Sequence, residues 1–260
     1  VDGMLQILSA LGAHAGWDPH DDHAVRILAD TVDTPEAPYE LVRKMRASFM
    51  VLGPLVARFR HGRVSEPGGC AIGVRPVDQH LKGLEALGAK VELTHGYVEA
   101  RAERLQGSRV SFDVSTVNGT QNVLMAACLA EGETVLENAA REPEVMELAR
   151  VLQKMGARIE GAGTARIVVQ GVPKLRAVEH RVSGDRIEAG TLLAAAVVTR
   201  GDVRLQGVDA SVMESTLEKL RETGASIEVS GDTLHVRAFD APRPVDVVTA
   251  PYPGFPTDMQ

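Results

Sequence analysis

At 260 residues, with 44% apolar and 24% charged residues, the sequence fits one large or two medium globular domains. Its formal net charge of −7 excludes the broad basic face that non-specific nucleic-acid or anionic-membrane binding needs, so any basic site is local. Aromatic residues make up only 3%, which leaves the core to Ala, Val, Leu, Ile and Met and favours helices packed on sheets.

Taken from the start, the first helical stretch ends in Leu11-Gly12-Ala13. The same ending returns as Leu87-Gly88-Ala89, Met155-Gly156-Ala157 and Thr223-Gly224-Ala225, at intervals of 76, 68 and 68 residues. Glycine suits the left-handed position that terminates a helix. The repetition predicts a recurring unit: an apolar helix, a strand opened by glycine, a second helix closed by Gly-Ala, then a strand and a hairpin. The pattern also bears on His20-Asp21-Asp22-His23, which resembles a metal-ligand cluster when read alone. It aligns with the turns Thr94-His95-Gly96, Ala162-Gly163-Thr164 and Ser230-Gly231-Asp232, so a solvated hairpin turn is expected and no metal.

Arg46 follows Arg43 and Lys44 and reads either as a binding residue or as part of a solvated basic helix face. The strand-opening glycines Gly62, Gly132 and Gly201 precede the helix-closing ones by 26, 24 and 23 residues. The excess falls at Pro67-Gly68-Gly69-Cys70-Ala71-Ile72-Gly73-Val74-Arg75-Pro76. A unit that departs from its siblings by one longer loop does so, as a rule, for function. Its Gly68 and Gly73 fit G-x-x-x-x-G, but Val74-Arg75 stands where a P-loop has Lys and Ser/Thr, so nucleotide hydrolysis on that scaffold is not supported. The glycines let main-chain N–H groups approach an anion, and Arg75 adds a charge-assisted phosphate contact. Cys70 there is suited to nucleophilic attack as a thiolate or to proton donation as a thiol.

Beyond the loop, Val77, Leu81, Leu84 and Leu87 share one helix face, as do Val145, Leu148, Leu152 and Met155. Pro76 and Pro143 mark helix starts, and Ser211 with Glu214 suggests a capping box. Cys128, inside Val123-Leu-Met-Ala-Ala-Cys-Leu-Ala130, reads as a small buried hydrophobe. Two cysteines and no 18-residue apolar span or signal-peptide pattern point to the cytoplasm. Residues 225–238 alternate as a hairpin. Asp258 ends the proline-rich run 250–258 and reads either as a helix N-cap or as a functional carboxylate. Both ends of the sequence read as cuts within a longer protein.

Several stretches together carry a family resemblance. They are Ala37-Pro-Tyr-Glu-Leu-Val-Arg-Lys-Met-Arg-Ala-Ser48, Leu52-Gly-Pro-Leu-Val-Ala-Arg58, Pro67-Gly-Gly-Cys70, Gly73-Val-Arg-Pro-Val-Asp78, Glu137-Asn-Ala-Ala-Arg-Glu-Pro-Glu144, Asp185-Arg-Ile-Glu-Ala-Gly-Thr191 and Phe255-Pro-Thr-Asp-Met-Gln260. In this order they resemble the UDP-N-acetylglucosamine 1-carboxyvinyltransferase family of enolpyruvyl transferases. The resemblance implies an α/β (α+β) fold, an inside-out α/β barrel of repeated units in two domains. Residues 1–184 would form the loop-bearing domain and 185–260 part of the second. It implies transfer of the enolpyruvyl group of phosphoenolpyruvate to the 3′-hydroxyl of UDP-N-acetylglucosamine, a step in peptidoglycan synthesis, with no cofactor. Cys70 matches the cysteine that protonates phosphoenolpyruvate and that fosfomycin alkylates. Asp258 matches the carboxylate at the sugar hydroxyl, Arg75 the phosphate-facing arginine, and Arg46 the arginine near the nucleotide sugar. Pro76, Val77, Asp78 and Gln79 fall at the uracil end. Val114, Ser115, Thr116 and Val117 fall where nucleotide-sugar contacts are expected, although the family there reads closer to Ser-Val-Gly-Ala-Thr. The family's N-terminal Lys-Asn pair has no counterpart, and its closing arginines would lie past Gln260, so these 260 residues alone are expected to be inactive. Two other readings are a shikimate 3-phosphate enolpyruvyl transferase and a non-catalytic nucleotide-sugar-binding module.

Overall fold

A computed structural model describes residues 1–42, 45–65 and 77–259. The elements run α1 (Asp2–Ala10), β1 (His14–Asp18), β2 (Asp21–Leu28), β3 (Glu36–Ala37), α2 (Tyr39–Val42), a 3-10 turn (Arg46–Val51), α3 (Leu52–Phe59) and β4 (His61–Ser65). They continue with α4 (Asp78–Ala86), β5 (Lys90–Thr94), β6 (Tyr97–Arg101), β7 (Arg109–Ser111), α5 (Val117–Ala127), β8 (Glu133–Glu137), α6 (Pro143–Lys154), β9 (Arg158–Glu160) and β10 (Arg166–Gln170). Last come α7 (Arg186–Val198), β11 (Asp202–Gln206), a 3-10 turn (Ala210–Val212), α8 (Glu214–Glu222), β12 (Ser226–Ser230), β13 (Thr233–Arg237) and a 3-10 turn (Thr257–Met259).

The expected repeat is present in the described residues as helix, strand, helix, strand, strand. Its three copies are α3-β4-α4-β5-β6, α5-β8-α6-β9-β10 and α7-β11-α8-β12-β13. In each, the last strand lies between the other two and is antiparallel to both, giving the orders β4-β6-β5, β8-β10-β9 and β11-β13-β12. Short strands β3 and β7 extend the first two sheets, pairing in parallel with β4 and β8. The helix-closing glycines Gly12, Gly88, Gly156 and Gly224 all have positive φ, from 89° to 107°. In the first three the glycine N–H reaches back three residues and the alanine N–H five, as at Gly88 to Glu85 (2.8 Å) and Ala89 to Leu84 (3.0 Å). That pairing satisfies the last helical carbonyls, and a Cβ would strain the backbone that makes it.

Other expectations divide. Pro143 opens α6 as read, because a first-turn residue needs no helical N–H donor. Cys128 is fully buried, and burial pushes its thiol up to about 12, which leaves it inert. His20 lies in the β1–β2 turn, where Asp18 and Asp21 accept from the main-chain N–H groups of His20 (2.8 Å) and His23 (2.9 Å). The Ser211–Glu214 capping box does not form. Asp209, a charged acceptor two residues earlier, takes both the Ser211 N–H (2.9 Å) and its hydroxyl (2.6 Å), and Glu214 turns instead to Arg221. The carboxylate is the stronger acceptor, so it captures the serine and winds a 3-10 turn ahead of α8.

The chain divides into two compact units, one of residues 1–140 and 148–178, the other of 141–147 and 179–260. The first contains the first repeat and all the elements of the second except residues 143–147 of α6, with fully buried Leu52, Leu84, Leu124, Leu136 and Ile167 at its centre. The second has its own core, in which α7 and α8 lay Leu193, Val197 and Leu217 against Leu234 and Val236 of β13. Among the described residues no helix is long and apolar enough to cross a membrane.

Candidate functional site

In the first unit the site-bearing segments converge on the beginnings of α4 and α5. The two helices approach closely because Gly83 of α4 faces Val123 of α5; a Cβ at residue 83 would overlap the valine methyls. Val77 is the N-cap of α4, Asp78 its exposed first residue, and Gln79 its buried second. The Gln79 amide reads the main chain and side chain of Asp113 together. Its Oε1 accepts from the Asp113 N–H (2.9 Å), and its Nε2 donates to the Asp113 carboxylate (3.1 Å) and to Asp78 (3.1 Å). Lys82, one turn along α4, donates to the other Asp113 oxygen (2.6 Å). The bond from Lys82, then that from Gln79, holds the Asp113 carboxyl below its usual range.

Asp113 leads directly into Val114 and Ser115, both exposed, then into Thr116 and Val117 at the start of α5. Thr116 is the N-cap, its hydroxyl accepting from Gly119 N–H (3.3 Å). Two of the predicted substrate segments, 77–79 and 114–117, are therefore joined by the Gln79–Asp113 clamp.

Arg46 begins the 3-10 turn that leads into α3. Ser48, fully buried, anchors that turn by donating to the carbonyls of Val42 (3.2 Å) and Met45. On its other side the turn meets Asn122 of α5, also fully buried. Asn122 Oδ1 accepts from Gly53 N–H (2.8 Å), and Nδ2 donates to the Phe49 carbonyl (3.3 Å). Gly53 belongs to the first turn of α3, where N–H groups lack helical partners; Val51 supplies no side-chain cap and Pro54 has no N–H to offer. Asn122 is thus a cap delivered from 69 residues away. Gly53 must be glycine for this approach, since a Cβ there would lie 2.5 Å from the Asn122 carbonyl oxygen.

In the second unit, Asp258 is exposed in the turn Thr257–Met259. This turn packs on α7 at Gly190, where a Cβ would lie 2.9 Å from Met259 Cε and 3.0 Å from its sulfur. Asp185 caps α7, its Oδ1 accepting from Ile187 N–H (2.8 Å) and Glu188 N–H (3.2 Å). Arg186 bonds Glu144 (2.9 Å) and lies 5.6 Å from the ring centre of Tyr252. The stretches 185–191 and 255–259, far apart in sequence, are therefore neighbours. Asp258 is the middle residue of this turn.

Cys70, Arg75 and Pro76 lie outside the described residues, as do Arg43 and Lys44. Sequence reasoning missed Lys82, Asp113 and Asn122. No local signal marks them: their partners are 31 to 73 residues away.

A curated protein from Myxococcus xanthus (strain DK1622), "UDP-N-acetylglucosamine 1-carboxyvinyltransferase", is 56% identical over all 260 residues, and the chain spans 62% of that relative's length. The crystal structure of the enolpyruvyl transferase NikO from Streptomyces tendae superposes with a TM-score of 0.85 at 25% identity, over 99% of this chain and 62% of that one. EPSP synthase from Acinetobacter baumannii shares the fold, with a TM-score of 0.67 at 21% identity over 90% of this chain and 56% of its own. The family profile described as EPSP synthase (3-phosphoshikimate 1-carboxyvinyltransferase) matches residues 1–260. With a profile covering every residue and an enolpyruvyl transferase fold, the chain belongs to the EPSP synthase family.

Proposed function

We propose that the protein carrying this chain transfers the enolpyruvyl group of phosphoenolpyruvate to the 3′-hydroxyl of UDP-N-acetylglucosamine and releases phosphate, in the cytoplasm, as a step of peptidoglycan synthesis. The observation that carries this reading is the 56% identity along the whole chain to a protein of that name. NikO, an enolpyruvyl transferase, supports the fold at 25% identity. The barrel reading treats each described helix-strand-helix-strand-strand copy as one unit, with residues 1–184 in the loop-bearing domain and 185–260 in the second.

In this mechanism the Cys70 thiol gives a proton to the methylene carbon of phosphoenolpyruvate, which makes the adjacent carbon electrophilic. The sugar hydroxyl attacks that carbon while Asp258 takes the hydroxyl proton. The tetrahedral adduct then returns a proton from the new methyl group to the Cys70 thiolate and expels phosphate, which leaves with the proton held by Asp258, and the double bond returns. Arg75 holds the phosphate as a charge-assisted donor. Arg46, Pro76, Val77, Asp78, Gln79 and residues 114–117 hold the nucleotide sugar. The exposure of Asp258 agrees with a carboxylate that must reach a substrate hydroxyl.

The test is turnover by the longest natural chain containing these residues, with phosphate release and product mass as readouts. UDP-N-acetylglucosamine with phosphoenolpyruvate is expected to give phosphate and an enolpyruvyl adduct of the nucleotide sugar, and shikimate 3-phosphate to give neither. Product from shikimate 3-phosphate alone would reverse the assignment. Binding of UDP-N-acetylglucosamine without turnover would instead identify a non-catalytic binding module.

A further inference from the structure

Asn122 sits at the junction of all three segments of the first unit that the proposed function assigns to the nucleotide sugar. Its Nδ2 holds the Phe49 carbonyl, three residues into the turn that Arg46 begins, and its Oδ1 holds Gly53 at the head of the following helix. The same Nδ2 lies 3.0 Å from His80 Nδ1. An amide nitrogen only donates, so this ring nitrogen accepts and the ring proton sits on Nε2. The His80 ring also packs edge-on against Phe49, with centroids 5.2 Å apart and planes at 90°. His80 follows Gln79 directly, so one turn of α4 meets Asp113 through residue 79 and Asn122 through residue 80. Asn122 itself belongs to α5, whose first residues are the third segment. Being fully buried, it has no access to a substrate.

We infer that Asn122 is a positioning residue for nucleotide-sugar binding: its one amide fixes the Arg46 turn, the start of α4 and the start of α5 in a single mutual arrangement. This rests on the proposed function, which supplies the ligand. Each bond is directional, and a buried amide that loses a partner is penalised, so the arrangement is unique in a way that apolar packing alone would not make it. Asn122→Ala removes all three attachments. Asn122→Asp keeps the acceptor for Gly53 but sets an oxygen against the Phe49 carbonyl.

The experiment uses the longest natural chain that contains these residues and measures KM for each substrate, kcat, UDP-N-acetylglucosamine binding by calorimetry, and Tm. Asn122→Ala is expected to raise the KM and Kd for UDP-N-acetylglucosamine about tenfold with the phosphoenolpyruvate KM within about twofold. Asn122→Asp is expected to fall between it and the unsubstituted protein. Where the alanine variant fails to fold, Asn122→Ser, which retains a hydroxyl, gives the same comparison. A lower Tm with unchanged affinity for the nucleotide sugar would make Asn122 merely structural and overturn the inference alone. An unsubstituted protein that does not bind UDP-N-acetylglucosamine would overturn the proposed function and the inference with it.

Discussion

The two units hold their site-bearing segments by opposite means. In the first, the Asn122 amide and the Gln79–Asp113 clamp fix three segments through directional hydrogen bonds, several of them buried. In the second, the turn carrying Asp258 rests on α7 through Met259 against bare glycine, and α7 is set by the Asp185 cap. Hydrogen bonds prescribe distance and angle, whereas a thioether on a glycine surface prescribes little more than distance. The first arrangement suits recognition of a large polar ligand. The second suits a carboxylate that need only reach one hydroxyl.

The largest effect should come from cores, which control for the comparison. Leu193→Ala in the second unit and Leu124→Ala in the first should each cost about 2–5 kcal/mol, read from urea unfolding. Next, Asn122→Ala strands the Gly53 N–H and the Phe49 carbonyl and removes the donor at His80 Nδ1, and should cost about 2–3 kcal/mol, well beyond the loss of a few buried atoms. A cost below about 0.5 kcal/mol would show that the amide does not organise its surroundings. Gly190→Ala presses on the flexible end of Met259, which can move aside, so only about 1 kcal/mol should be lost. Its larger consequence should be a drop in kcat with the KM for UDP-N-acetylglucosamine unchanged, the inverse of the pattern expected at Asn122.

The smallest effect concerns pH. The Asp113 carboxyl is held below its ordinary value of 3.8, first by Lys82 and then by Gln79. A carboxyl whose folded value is depressed stabilises the fold fully above its ordinary value, and that contribution is lost as pH falls through the folded one. The urea midpoints of the unsubstituted protein and Asp113→Asn should therefore differ by a small constant between pH 7 and 5, and converge below about pH 4. A difference that grows in acid would contradict the clamp.

What was legible in the sequence follows the range of the interactions. The repeat could be read because each copy closes a helix with Gly-Ala, a device in which all bonds lie within six residues. The buried Cys128 and the hairpin at His20 were legible for the same local reason. Ser211 and Glu214 matched a local pattern, yet Asp209 was a better acceptor at hand. Gln79 was singled out, but its partner Asp113 is 34 residues on, and Asn122 reaches Gly53 across 69. Nothing in the order of residues encodes such a meeting until helices α4 and α5 pack at Gly83. The reading of Leu52-Gly-Pro-Leu as a family motif now has a physical reason. Its glycine admits the Asn122 cap and its proline leaves fewer amides to satisfy.

The central claim, that Cys70 is the working thiol of an enolpyruvyl transferase, is tested most directly with fosfomycin. The longest natural chain containing these residues would be incubated with the compound, assayed for turnover, and digested for peptide mass analysis. The account predicts loss of activity together with a single covalent adduct on the peptide containing Cys70, and no adduct on buried Cys128. A protein that remains active under the same exposure, with Cys70 unmodified, would contradict it.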